Sequence, residues 1–91
     1  MFEVFLSNAA QKSLKNLDKR IVERAKKALL TLKTSPLPIK EYDIKKLSGE
    51  KDTYRLRISR YRIVYDIDWD NKAVTVIKID KRDEKTYSYH K

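Results

Sequence analysis

Four arginines stand within one short stretch, at positions 55, 57, 60 and 62, and no acid lies between Tyr54 and Tyr65. Arg55 and Arg57 occupy alternate positions of a segment that reads as a strand, so both side chains project to the same side. Guanidinium groups gathered on one face suit anions, because each offers planar donors that match two phosphate oxygens. Strand pairing sharpens the point. If Ser59 and Arg60 form a two-residue hairpin turn, Ile58 faces Tyr61, Leu56 faces Ile63 and Tyr54 faces Tyr65, which matches the apolar faces. The same register sets Arg57 directly opposite Arg62. Like charges so placed cost roughly 0.2–1 kcal/mol. A phosphate between them would relieve the repulsion. Carboxylates supplied from elsewhere, with Asp66 and Asp80 as candidates, would instead leave an ordinary solvated face.

Arginine and tyrosine together suit single-stranded nucleic acid, where cations follow the backbone and rings stack on bases. Tyr54, Tyr61 and Tyr65 fall on the apolar side and read as core. Tyr87 and Tyr89 lie in a polar tail and are freer to meet a ligand. Common catalytic machinery is missing from the sequence. It has no Cys, its single His90 is next to last, and its one glycine, Gly49, makes no phosphate-cradling loop. No carboxylate set has metal-ligand spacing, so neither a metal nor another cofactor is expected. A ribonuclease built from these residues would use cations to stabilise a phosphorane-like transition state. It would hold RNA in line for attack by its own 2′-hydroxyl.

The formal charge is +9, from 22 Lys+Arg against 13 Asp+Glu. That field favours polyanions: nucleic acid first, then an acidic protein, then an anionic membrane surface. It would serve a merely solubilising surface as well. No apolar run is long enough to span a bilayer and no signal-peptide pattern opens the chain, so a cytoplasmic protein is expected.

These side chains must be positioned by a small domain covering residues 1–91. Phe2 to Leu6 alternates and predicts a first strand. Ser7 or Asn8 can cap a helix carrying Ala10, Leu14 and Leu17 on one side. Asp18 predicts a second cap. From Ile21 the stripe of Val22, Ala25, Leu29 and Leu32 is apolar, and Lys19, Arg20, Arg24, Lys26, Lys27 and Lys33 form the opposite face. This is a helical hairpin or one bent helix. Pro36 and Pro38 end it, and KLSGEKD (46–52) reads as a loop. Strands follow at 54–58, 61–69 and 73–79, with Trp69 in the core or plugging a strand end. The result is an α+β domain: an N-terminal strand and helical hairpin packed on an antiparallel meander, with a short C-terminal tail or helix.

The order of elements, the segments KKLSG (45–49), YRLRI (54–58) and YRIVY (61–65), and the ending KRDEKTY (81–87) resemble the RelE/ParE superfamily of toxins from type II toxin–antitoxin pairs. The resemblance covers nearly the whole chain. It implies a RelE-like mRNA interferase, which enters the ribosomal A site and cuts the message there. ParE-like members share the fold, largely lack the basic set, and act on DNA gyrase. Residue by residue, the resemblance assigns catalysis to Arg57, Arg62, Arg82 and Tyr87, and substrate binding to Arg55, Arg60, Lys81 and Lys85. Lys19, Arg20, Arg24, Lys26 and Lys27 would dock on ribosomal RNA. It further implies a RelB-like antitoxin as partner, and little DNA binding by this chain alone.

The sequence departs from the family in three places. Arginines stand at 55 and 57 where lysine is usual, and arginine does not deprotonate, which shifts the proton-handling role toward Tyr87. Arg60 occupies a tight-turn position usually held by glycine. Glu84, followed by Lys85, stands where a further basic residue is common. Whether Arg82 shares a face with Arg62 turns on the hairpin near Asp70–Lys72: a three-residue turn pairs Arg62 with Asp80, and a two-residue turn does not.

Overall fold

The computed structural model describes residues 1–47, 49 and 52–81. The alternating segment at the start forms strand β1 (Glu3–Leu6). Two helices follow, α1 (Asn8–Lys15) and α2 (Lys19–Thr34), so the hairpin is realised rather than one bent helix. Ser7 is the first cap. Its Oγ accepts the Ala10 N–H at 3.0 Å and donates to the Ile77 carbonyl at 2.5 Å. Asp18 caps α2 by accepting the Arg20 N–H at 3.0 Å. On α2 the fully buried residues are Ala25, Ala28 and Leu32, with Ile21, Val22 and Leu29 half-buried. Ala28 was not part of the expected stripe. With Ala10 and Ala25, this small side chain lets the helix backbones approach the sheet closely.

Four more strands follow: β2 (Asp43–Lys46), β3 (Thr53–Ile58), β4 (Tyr61–Asp68) and β5 (Ala73–Lys81). They make one five-stranded sheet in the order β1-β5-β4-β3-β2. β1 pairs with β5 in parallel, and the remaining pairs are antiparallel. The sheet is therefore mixed, and the first strand lies within it instead of packing on a separate meander. No strand was expected between Pro38 and the loop at 46–52, yet β2 lies there. Its sequence, DIKK, has only Ile44 as an apolar anchor, so no alternation announces it; pairing with β3 creates it.

Both helices cover one face of the sheet. There they enclose Leu56, Ile58, Ile63, Tyr65, Ile67, Val74, Val76 and Ile79. Burying each such aliphatic side chain contributes about 1.5–3 kcal/mol. Tyr54 and Tyr61 pack against the same core, as expected. Trp69 is half-exposed at the strand end and meets Phe2 edge-to-face, with centroids 5.7 Å apart. Among the described residues no helix is long and apolar enough to cross a membrane.

Two turns fix what the other face displays. Ile58 pairs with Tyr61, so Ser59–Arg60 is the two-residue turn. Ser59 takes the positive φ, 54°, while Arg60 does not, so the arginine sits there without needing glycine's freedom. Left-handed backbone costs a non-glycine residue roughly 1–2 kcal/mol. Ser59→Gly should therefore stabilise the fold by about 0.5–1 kcal/mol, once glycine's extra unfolded-state entropy is subtracted. A rise in Tm of a few degrees in calorimetry would show it, and an unchanged or lower Tm would refute it.

The β4–β5 connection is longer than expected. Asp68 pairs with Ala73 across a four-residue turn, and pairing continues to Tyr65↔Val76. A β-bulge then skips Ile77, and pairing resumes at Val64↔Lys78. Without the skipped residue, Arg62 would oppose Ile79 and pull a core side chain to the outer face. With it, Ile79 stays in the core and Arg62 opposes Asp80. The Ser7 hydroxyl, bonded to the Ile77 carbonyl, ties the bulge to the start of α1.

Candidate functional site

The face of the sheet away from the helices carries the arginine row. Arg57 is paired directly with Arg62, as the hairpin register requires. Two aspartates reach the row. Asp43, opposite Arg57 on β2, places Oδ2 3.3 Å from Arg57 Nη1 and 3.6 Å from Arg55 Nη1. Asp80 accepts a hydrogen bond from Arg62 Nε at 2.8 Å and lies 3.5 Å from Lys78 Nζ. Asp66 is not among them, since it accepts from Thr53 Oγ1 at 2.5 Å instead. Of the two carboxylates the sequence offered, only Asp80 serves the row. Asp43 was hidden in a stretch where no strand was expected.

The arginines differ in reach. The Arg55 side chain is only 13% exposed, and its buried Nη1 has no hydrogen-bond partner among the described residues. Arg57 and Arg62 are 36% and 41% exposed. Arg55 thus acts from beneath as fixed positive charge, more than as a contact. Arg60 is exposed in the turn beside them. Lys81 pairs with Tyr61, so alternation points it toward the helix-covered side, at the exposed end of β5. That register separates Lys81 from the arginine row it was expected to join. Lys78 takes a place on the row that the sequence did not suggest. Arg82, Glu84, Lys85, Tyr87, Tyr89 and His90 lie outside the described residues.

Charge along this face is polarised. The turn end holds the arginines. The opposite end holds a hollow of about 640 Å³ lined by Asp52, Asp66, Asp68 and Asp70, together with Thr53 and Trp69. Asp68 is held below the usual carboxylate range by the side-chain and backbone N–H groups of Asn71. No group of His, Cys or acidic side chains among the described residues could hold a metal ion.

The expected docking residues Lys19, Arg20, Arg24, Lys26 and Lys27 are all exposed on α2. They do not form one surface with a single outlook. Arg24 and Lys27 turn toward the sheet and line a groove of about 320 Å³ with Tyr42, Arg57, Ile58 and Ser59.

Asp43 restrains the site it completes. Asp43→Asn removes the carboxylate that partly neutralises Arg55 and Arg57. Its contribution to stability is that of a half-exposed pair, about 0–1 kcal/mol. The variant should be slightly less stable yet bind single-stranded RNA roughly two- to fivefold more tightly, with a steeper salt dependence. Fluorescence anisotropy across a salt series measures this, and weaker binding by the variant would contradict it.

Residues 4–86 match the family described as the ParE toxin of type II toxin–antitoxin systems, parDE. The chain belongs to the RelE/ParE toxin family. A protein of Methanocaldococcus jannaschii assigned as toxin RelE1 is 35% identical over 82 residues, covering 90% of this chain and 91% of that one. The RelE–RelB complex of Pyrococcus horikoshii contains a chain that superposes with a TM-score of 0.83 at 28% identity, covering 91% of this chain and 97% of that one. Isolated E. coli RelE gives a TM-score of 0.78 at 28% identity, covering 99% and 95%. This is a RelE-like toxin of a type II toxin–antitoxin system.

Proposed function

We propose that this RelE-like toxin is a ribosome-dependent endoribonuclease that cuts mRNA in the A site without a metal ion. The observation that carries the reading is the Arg57–Arg62 pair, two half-exposed guanidinium groups facing each other on the open side of the sheet. Asp43 and Asp80 offset part of the charge, but Arg55, Arg57, Arg62 and Lys78 set four cations against these two carboxylates, and a phosphate would complete the neutralisation. The scissile phosphate would sit over it. Arg62, aimed by its Nε bond to Asp80, would stabilise the phosphorane as negative charge grows, and Arg57 would hold a non-bridging oxygen. Arg55 would add charge from below. The 2′-hydroxyl of the preceding ribose would attack in line, leaving a 2′,3′-cyclic phosphate and a 5′-hydroxyl. Arg82 would donate a hydrogen bond to the departing 5′ oxygen, which takes its proton from water. Tyr87 would stack on a base or take the 2′-hydroxyl proton. Lys19, Arg20 and Lys26 would meet ribosomal RNA.

The solved relatives in complex with RelB support a RelB-like antitoxin for this chain, and the +9 charge suits an acidic partner. DNA contacts would belong to that partner. The test is a programmed ribosome with a defined mRNA, with EDTA-tolerant detection of cleavage. Wild type should cut at the A-site codon, and Arg62→Ala should not. The matched family's ParE description favours a second reading, a toxin that poisons DNA gyrase. Gyrase-dependent DNA breaks with mRNA left intact would establish that reading in place of the first.

A further inference from the structure

We propose that the groove between α2 and the β3–β4 turn is a second phosphate subsite, holding the nucleotide next to the one bound at Arg57 and Arg62. The inference rests on the reading that the arginine face binds an RNA strand. Arg24 and Lys27 lie three residues apart on α2 and so share one side of it. Arg57 also lines the groove, so the groove borders the arginine pair. Arg24 and Lys27 therefore face one space, and neither has an acid within ion-pair distance among the described residues. Tyr42 and Ile58 supply an apolar wall for a sugar or base, and the Ser59 hydroxyl stands at the rim. The volume, about 320 Å³, falls in the range that small ligands occupy.

The rest of the surface directs the strand the same way. At the other end of the sheet, Asp52, Asp66, Asp68 and Asp70 repel a polyanion. A strand held at Arg57 and Arg62 that leaves over the turn passes the exposed Arg60 and reaches Arg24 and Lys27. An acidic peptide would find the same charges. The groove favours nucleic acid because it shares Arg57 with the phosphate pair and backs its cations with an aromatic wall.

The test uses the full-length chain and a short, labelled 2′-O-methyl oligoribonucleotide, which the chain cannot cut, with no ribosome present. Arg24→Gln/Lys27→Gln is compared with Lys12→Gln/Lys15→Gln on α1, which removes equal charge from another exposed surface. The groove variant should bind about tenfold more weakly, as loss of charge-assisted hydrogen bonds implies. Its slope of log K against log salt should fall by about 0.7, one phosphate contact. The α1 variant, whose lysines do not line the groove, should change Kd less than twofold. Equal weakening in both variants, or none in the groove variant, overturns the proposal. So does tighter binding of an acidic peptide than of the oligonucleotide, if that binding is lost in the groove variant. A-site cutting with unchanged oligonucleotide binding by the groove variant refutes the subsite alone. Groove-dependent binding without cutting refutes the interferase alone.

Discussion

Arg62→Ala should lower A-site cleavage by about 10²–10³ in kcat, the usual cost of deleting one donor aimed at developing negative charge. The fold should barely notice. Arg62 is half-exposed, so its removal opens no core cavity. The lost ion pair to Asp80 is worth about 0–1 kcal/mol, and the relieved repulsion with Arg57 returns roughly 0.2–1 kcal/mol. Urea denaturation should therefore place the variant within about 1 kcal/mol of wild type. Arg62→Lys keeps the charge but not the planar fork, and should retain part of the activity. Single-turnover cleavage on programmed ribosomes separates these outcomes. Wild-type rates in the alanine variant would remove Arg62 from the chemistry.

Tyr65 should produce the largest effect on stability. Its ring is fully buried beside that of Tyr54, and its hydroxyl donates to the buried Pro36 carbonyl at 2.8 Å. Tyr65→Ala should cost about 3–5 kcal/mol, as for other large aromatic truncations. Tyr65→Phe keeps the ring but strands that carbonyl, at about 1–3 kcal/mol. The phenol also responds to pH. Burial pushes its pKa upward, and Tyr54 adds to the shift. The folded state thus holds the proton longer than the unfolded chain. Its contribution is complete below the unfolded pKa, about 10, and is lost as pH rises toward the folded value. Between pH 10 and 11, wild type should lose about 1 kcal/mol more stability than Tyr65→Phe. Chemical denaturation of both proteins at those pH values gives the difference directly. Parallel decline would show that Tyr65 does not titrate in this way.

The two cases divide what could be read in advance from what could not. By itself, the sequence determined the hairpin of β3 and β4. A two-residue turn leaves one register that buries both apolar faces, and that register puts Arg57 against Arg62. It also determined both helix caps within a residue and the basic face of α2, because caps and helical periodicity are local properties. Local patterns could not supply partners. Asp43 came to Arg57 only because a short strand with one apolar residue pairs at the sheet edge. Asp80 reached Arg62 through a bulge held by Ser7, which lies 70 residues from Ile77 in the chain. The groove joining Arg24 and Lys27 to Arg57 depends on how a helix lies over a sheet. Periodicity states which side of a helix is apolar. Packing alone decides where its basic edge comes to rest, and here that edge rests beside the arginine row.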